Sequence, residues 1–217
     1  MDNFHKLIEG FHNFKQTYFL KERQYFESLE KAQNPKTLVV ACCDSRVDPA
    51  ILLHCKPGDL FVIRNVAALV PAVTQASNPC SVMSAIEYGV KHLNVEHIVV
   101  MGHSHCGGIH GLMAPETIAG ETYLQDWVGI ASPAWERLQA ITGDEDEKTR
   151  SRHCEEGAVL ISLDNLLSYP WIAERVKNGQ LKLHALYYDL SEGNLYRFSP
   201  DSEAVSYTHL TLPTLRL

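Results

Sequence analysis

The chain has 217 residues, 45% of them hydrophobic and 21% charged, which is enough to bury one core and falls within the usual range of a single domain. Its formal net charge of -7 and the lack of any Lys/Arg run exclude the cationic field by which proteins hold nucleic acid or anionic lipid. The expected partner is a small neutral or anionic molecule, with no nucleic acid and no membrane.

Residues 1–32 place Phe4, Leu7, Ile8, Phe11, Phe14 and Tyr18 at three- and four-residue steps, which predicts an amphipathic N-terminal helical arm. Its many aromatics suit an interface with a second subunit. Asp2, Lys6 and Glu9 fall where an export signal needs a basic start and an unbroken apolar stretch, so the cytoplasm is the expected compartment. Asn34-Pro35 ends the helical pattern. Thr37 to Ala41 (TLVVA) then reads as a buried strand, as do Leu60 to Ile63 (LFVI) after the Pro57-Gly58 turn and His97 to Met101 (HIVVM) after a helical stretch, Val82 to Leu93.

Strands alternating with helices predict parallel βαβ units, hence an α/β fold with a central, mostly parallel sheet flanked by helices. No charge occurs between Arg64 and Glu87, but Pro71, Gln75, Asn78 and Pro79 interrupt that run. It reads as a buried loop region rather than a membrane span. Glu121 to Ile141 and Glu155 to Leu167 are expected helices. Leu181 to Leu190 and Asn194 to Phe198 form an expected hairpin around Glu192-Gly193. One domain over 1–204 is expected. Residues 205–217 are set apart as a non-native tail, because VSYTHLTLPT (205–214) resembles the translation of a transposon-type sequencing adapter.

Two apolar strands end in polar turns, VVACCDSR and VVMGHSHCGG. In an open parallel sheet the carboxyl ends of strands gather the loops that build sites, so the two clusters are placed to meet. His103 and Cys106 have a metal-ligand spacing, and Gly107-Gly108 lets the backbone turn into a helix whose N-terminus favours a Cys106 thiolate. An extended chain puts Cys42, Asp44 and Arg46 on one face. Cys42, His103 and Cys106 are therefore three zinc ligands, with the fourth position open or filled by Asp44. An open position is the catalytic pattern and a filled one the structural pattern. The other cysteines of the six, Cys43, Cys55, Cys80 and Cys154, read as structural or surface thiols.

C-x-D-S-R at Cys42 to Arg46, followed by G-H-S-x-C-G-G at Gly102 to Gly108, resembles the β-class carbonic anhydrases, and PGDLFVIRNVAALV and SAIEYGVKHL are similar to their plant-type and bacterial members. The resemblance implies one Zn2+ per subunit on Cys42, His103 and Cys106, with Asp44 and Arg46 as a catalytic dyad beside zinc-bound hydroxide. It implies reversible hydration of carbon dioxide to bicarbonate and a proton. Gln33, Phe61, Val66, Tyr88 and Gly107 match the family's substrate pocket, in which the Gln33, Phe61 and Tyr88 positions are supplied across a dimer interface. A homodimer follows, with a homotetramer as the larger alternative. Some members carry a regulatory bicarbonate site with a tryptophan three residues before the first zinc cysteine, and in those the aspartate closes onto the metal. Val39 stands there in this chain, so an open site is expected.

Three other readings stand beside this one. The same metal site serves hydrolysis of sulfur analogues such as carbonyl sulfide in some relatives. A non-catalytic zinc scaffold would have a closed site and no need of Asp44 and Arg46. A nucleotide-binding α/β fold lacks its glycine fingerprint here.

Overall fold

The computed structural model describes residues 2–76, 79–141, 146–198 and 214–216, with only the backbone of Ile141 and of 214–216. It divides into two compact units, residues 1–34 and 35–217. The expected non-native tail lies outside the described residues except for 214–216.

In the first unit Asp2 caps helix α1 (Asn3–Phe14), its carboxylate accepting from the Phe4 and His5 amides. A π-helical turn (Lys15–Phe19) and helix α2 (Arg23–Lys31) follow. The expected helical arm is thus made of two helices and a π-helical turn, with Phe14, Tyr18, Phe19 and Tyr25 arranged around Phe26 at ring separations of 4.8 to 5.8 Å. No residue of α1 or α2 is buried, and Phe4, Leu7 and Phe11 stay 58 to 70% exposed.

The second unit is built on a sheet in the order β2-β1-β3-β4-β5-β6. Strands β1 (Thr37–Cys42), β2 (Leu60–Asn65), β3 (His97–His103) and β4 (Lys182–Asp189) are parallel. β5 (Asn194–Phe198) returns antiparallel from β4 as the expected hairpin, and β6 (Thr214–Arg216) pairs antiparallel with β5. Alternation sends Leu38, Val40, Ile98, Val100, Ala185 and Tyr187 into the main core. There they share a cluster with residues of α4 (Ser81–Lys91), α8 (Glu147–Leu167) and α9 (Pro170–Lys177). The opposite face carries Val39, Ala41, Val99, Met101 and Leu186.

Short helices α3 (Pro49–Leu52) and α5 (Gly107–Met113) follow β1 and β3. The expected helix over 121–141 is two, α6 (Thr122–Val128) and α7 (Ser132–Ile141), parted by a 3-10 turn. Helix α8 starts eight residues before its expected beginning at Glu155, capped by Asp146, and is buried all round from Cys154 to Leu163. Its side chains also satisfy the buried loop after β2: Ser162 and Asn165 bond the amide and carbonyl of Val70, and the Tyr169 hydroxyl just beyond donates to the Pro71 carbonyl. That is how the first part of the chargeless segment, Ala67 to Pro71, is buried without orphaned backbone groups, whereas Val73 to Gln75 are exposed, unlike the buried loop expected over the whole run. Among the described residues no helix is long and apolar enough to cross a membrane.

Candidate metal centre

Cys42 closes β1 and His103 closes the adjacent β3, so parallel pairing sets the two at the same end of the sheet. Cys106 lies three residues on, at the cap of α5. The two sulfurs are 4.0 Å apart, and the three candidate ligand atoms all lie within 4.8 Å of one another. All three side chains are buried. His103 Nδ1 is 2.9 Å from the Ser104 carbonyl, which can only accept, so this nitrogen carries the proton and Nε2 keeps its lone pair. Nε2 is buried without a hydrogen-bond partner. Buried polar atoms are almost always satisfied, and this one faces two thiols. The donor set fits a soft, tetrahedral divalent ion such as zinc. All six cysteines are free, as expected of thiols and ligands rather than a disulfide framework.

Either of the two ligand sulfurs can donate to the other. The hydrogen bond from Cys106 holds the Cys42 thiol well below its usual range against the opposing effect of burial, with help from His103 and the Asp44 amide. The Cys42 thiolate and burial together drive the Cys106 thiol far up, outweighing the amides of α5. The α5 amides favour the Cys106 thiolate, as expected, while the neighbouring Cys42 sulfur and burial oppose it; a bound cation would displace the remaining proton. For His103, burial pulls down, but the Cys42 thiolate prevails and the net shift is upward.

Asp44 and Arg46 meet through a turn rather than through an extended face, because β1 ends at Cys42. The Arg46 amide donates to Asp44 Oδ1 at 2.9 Å, while its Nε and Nη2 grip Oδ1 and Oδ2 at 2.9 and 2.6 Å. This fork keeps the Asp44 carboxyl well below the usual carboxylate range. Asp44 Oδ2 is 4.0 Å from His103 Nε2. The pair is only partly buried: the Arg46 side chain is 52% exposed, and Asp44 15%.

Arg46 Nη2 also donates to the His105 carbonyl at 3.1 Å, tying the first motif to the second. His105 has a φ of 57°, a left-handed conformation that needs such support. Its ring nitrogen Nε2 is 3.2 Å from Ser191 Oγ. No sequence pattern marks Arg64, which donates to the Cys42 carbonyl at 2.9 Å, the Asp44 carbonyl at 2.7 Å and the Asp48 carboxylate at 3.0 Å. One guanidinium thus holds the turn that carries a ligand and the dyad.

Val66 packs against the cluster containing Cys42 and Cys106. The turn behind it is strained, with Ala67 and Ala68 at φ of 63° and 55°. It is held by Asn65, whose amide bonds both backbone groups of Leu69, and by Trp127, which donates to the Val66 carbonyl at 2.8 Å. A Cβ at Gly108 would lie 2.5 Å from Val66 Cγ1, so glycine permits that approach, whereas Gly107 faces open space. Phe61 and Tyr88 lie against each other, ring centroids 6.0 Å apart, and Tyr88 stacks on His92. Phe61 pairs with Leu38, four positions before the Asn65 that pairs with Cys42. At the rise of a strand this is about 13 Å, so this chain's Phe61 does not line its own metal centre. Gln33 is exposed in the first unit.

Residues 37–195 match the family model described as carbonic anhydrase. The chain is similar to beta carbonic anhydrase 5, chloroplastic, of Arabidopsis thaliana, at 38% identity over 94% of this chain and 67% of the relative. It is similar to beta carbonic anhydrase 3 of the same plant at 39% identity over 89% and 76%. Among solved structures, the β-carbonic anhydrase CcaA superposes with a TM-score of 0.87 at 31% identity, covering 91% of this chain and 96% of that one. One of two tetrameric β-carbonic anhydrases from Sordaria macrospora gives 0.79 at 29% identity, covering 94% and 100%. With the Cys-His-Cys cluster at the ends of paired parallel strands and likeness along nearly its whole length, this chain belongs to the β-carbonic anhydrases, a family of lyases.

Proposed function

We propose that this chain hydrates carbon dioxide reversibly to bicarbonate and a proton, using one zinc ion per subunit held by Cys42, His103 and Cys106. The observation that carries the reading is the converged donor set, two thiols and an unpartnered imidazole nitrogen, with a carboxylate 4.0 Å away that Arg46 restrains. Three protein donors leave one tetrahedral position for solvent, as in catalytic zinc sites. Bound there, zinc supplies a Lewis acid that lets water act as a nucleophile near neutral pH.

The rest is the work of the chain. Asp44, kept ionised by Arg46, would accept a hydrogen bond from a molecule in the position that the three donors leave free, and so orient it. Arg46 keeps Asp44 from taking that position, which supports an open rather than a closed site. Because two thiolates cancel the charge of the ion, a well-placed acceptor matters more here than beside neutral ligands. Val66 and Gly107 wall the space next to Cys106. The remaining apolar wall, Phe61 and Tyr88 with Gln33, comes from a second copy of the chain; the offset of Phe61 from Cys42 along β2 supports this.

Hydration and hydrolysis of sulfur analogues are separated by presenting carbon dioxide and carbonyl sulfide to one zinc-analysed preparation. Carbon dioxide is expected to be turned over faster by several orders of magnitude. Faster consumption of carbonyl sulfide would overturn the assignment.

A further inference from the structure

Behind the metal centre a buried carboxylate touches a ligand residue that the mechanism does not use it for. Glu155, in α8, is 4% exposed, and Tyr187, in β4, is fully buried. Tyr187 donates its hydroxyl proton to Glu155 Oε2 at 2.6 Å, and the Cys106 amide donates to Glu155 Oε1 at 3.1 Å. Tyr187 is itself held under the Arg152 guanidinium, 5.3 Å from its ring centroid, while Arg152 Nε bonds Glu156 at 2.8 Å. Burying a carboxylate is costly unless hydrogen bonds compensate. An apolar side chain would join α8 to β4 without that cost.

The peptide bond between His105 and Cys106 shows what the carboxylate does. Its carbonyl accepts from Arg46 at 3.1 Å, and its N–H donates to Glu155. This single peptide plane is gripped on one side by the Asp44–Arg46 dyad and on the other by the Glu155–Tyr187 pair. It joins a residue at a left-handed φ to a metal ligand, so without a hold at both ends it would relax by rotating. Rotation would turn Cys106 Sγ away from Cys42 and remove one of the bonds that aim Arg46. Glu155 and Tyr187 also line a cavity of about 750 Å3 that reaches Cys106 and Gly107, so removing the carboxylate would leave the amide facing open space.

We propose that Glu155 and Tyr187 are positioning residues that fix the His105–Cys106 peptide, and through it both the Cys106 thiolate and the Arg46 guanidinium. This inference rests on the metal-centre reading. The test uses the full chain with Glu155→Ala, Glu155→Gln and Tyr187→Phe. Zinc affinity is measured by chelator competition, and thiolate geometry by the sulfur-to-metal absorption of the cobalt-substituted protein.

Glu155→Ala is expected to weaken zinc binding 10- to 100-fold, about the effect of losing a partner that orients a ligand, and to shift the cobalt band. Glu155→Gln keeps an acceptor for the Cys106 amide and a group able to donate to the Tyr187 oxygen, so it should stay within about threefold of wild type. Tyr187→Phe should fall between the two. Zinc affinity and cobalt spectra unchanged in Glu155→Ala, even with a lower melting temperature, would overturn the proposal. If Glu155→Ala does not fold, Tyr187→Phe must bind zinc more weakly than Glu155→Gln, and equality of the two with wild type overturns it. A wild-type chain that takes up no zinc removes the metal-centre reading and this proposal together; tight wild-type binding with indifferent variants removes this proposal alone.

Discussion

Arg46 acts on two segments at once, forking onto Asp44 and reaching the His105 carbonyl. A lysine keeps the charge but cannot make the fork. Arg46→Lys should therefore lower kcat/KM about 10- to 100-fold while zinc content stays at wild-type level. Wild-type rates at equal metal content would show that the fork is dispensable. At this scale the sequence exposes what is local. Cys42, His103 and Cys106 are readable because ligand types stand at ligand spacing on strand ends, and Asp44 and Arg46 because they fall in the same short motif. Arg64 and Glu155 were not readable. Their roles exist in contacts with groups 16 to 49 residues away in the chain, and neither stands in a pattern that announces chemistry.

Strands β1 to β3 were legible because parallel strands covered on both faces read as short β-branched runs. Helix α8 was only half legible. Its first two turns, EKTRSRH, are polar because they precede the fully buried stretch, whose all-round burial erases any amphipathic period. Helix α9 is not among the expected elements; it is a short helix that opens on Pro170, which suits the first helical turn. The contact between α8 and β3 depends on Gly102, where a Cβ would lie 2.4 Å from Val159 Cγ2. Gly102→Ala must push α8 away, and overpacking of this kind costs about 1–3 kcal/mol, readable as a lower urea midpoint. Because Glu155 lies one turn from Val159 on the same face, the variant should also bind zinc more weakly. An unchanged midpoint would mean that α8 is not packed as tightly against β3 as described.

For the whole molecule, the N-terminal arm offers Phe4, Leu7 and Phe11 with more than half of their surfaces exposed. Exposed apolar side chains of this kind suit the proposed contact with a second copy of the chain. Removing residues 1–32 should lower the assembly mass seen by light scattering to that of single subunits. Turnover should fall with it even where zinc is retained, because the proposed pocket takes Phe61 and Tyr88 from a second copy. A truncated chain of unchanged assembly mass would separate the arm from assembly. Metal-dependent hydration is the reaction proposed at Cys42, His103 and Cys106. Stopped-flow carbon dioxide hydration, followed from about pH 6.5 to about pH 9 around the acidity expected of water on catalytic zinc, tests it most directly when zinc content is known and Cys106→Ser is run alongside. Turnover that scales with zinc, rises with pH and disappears in Cys106→Ser is the predicted result; fully zinc-loaded protein that leaves carbon dioxide at its uncatalysed rate across that range would contradict it.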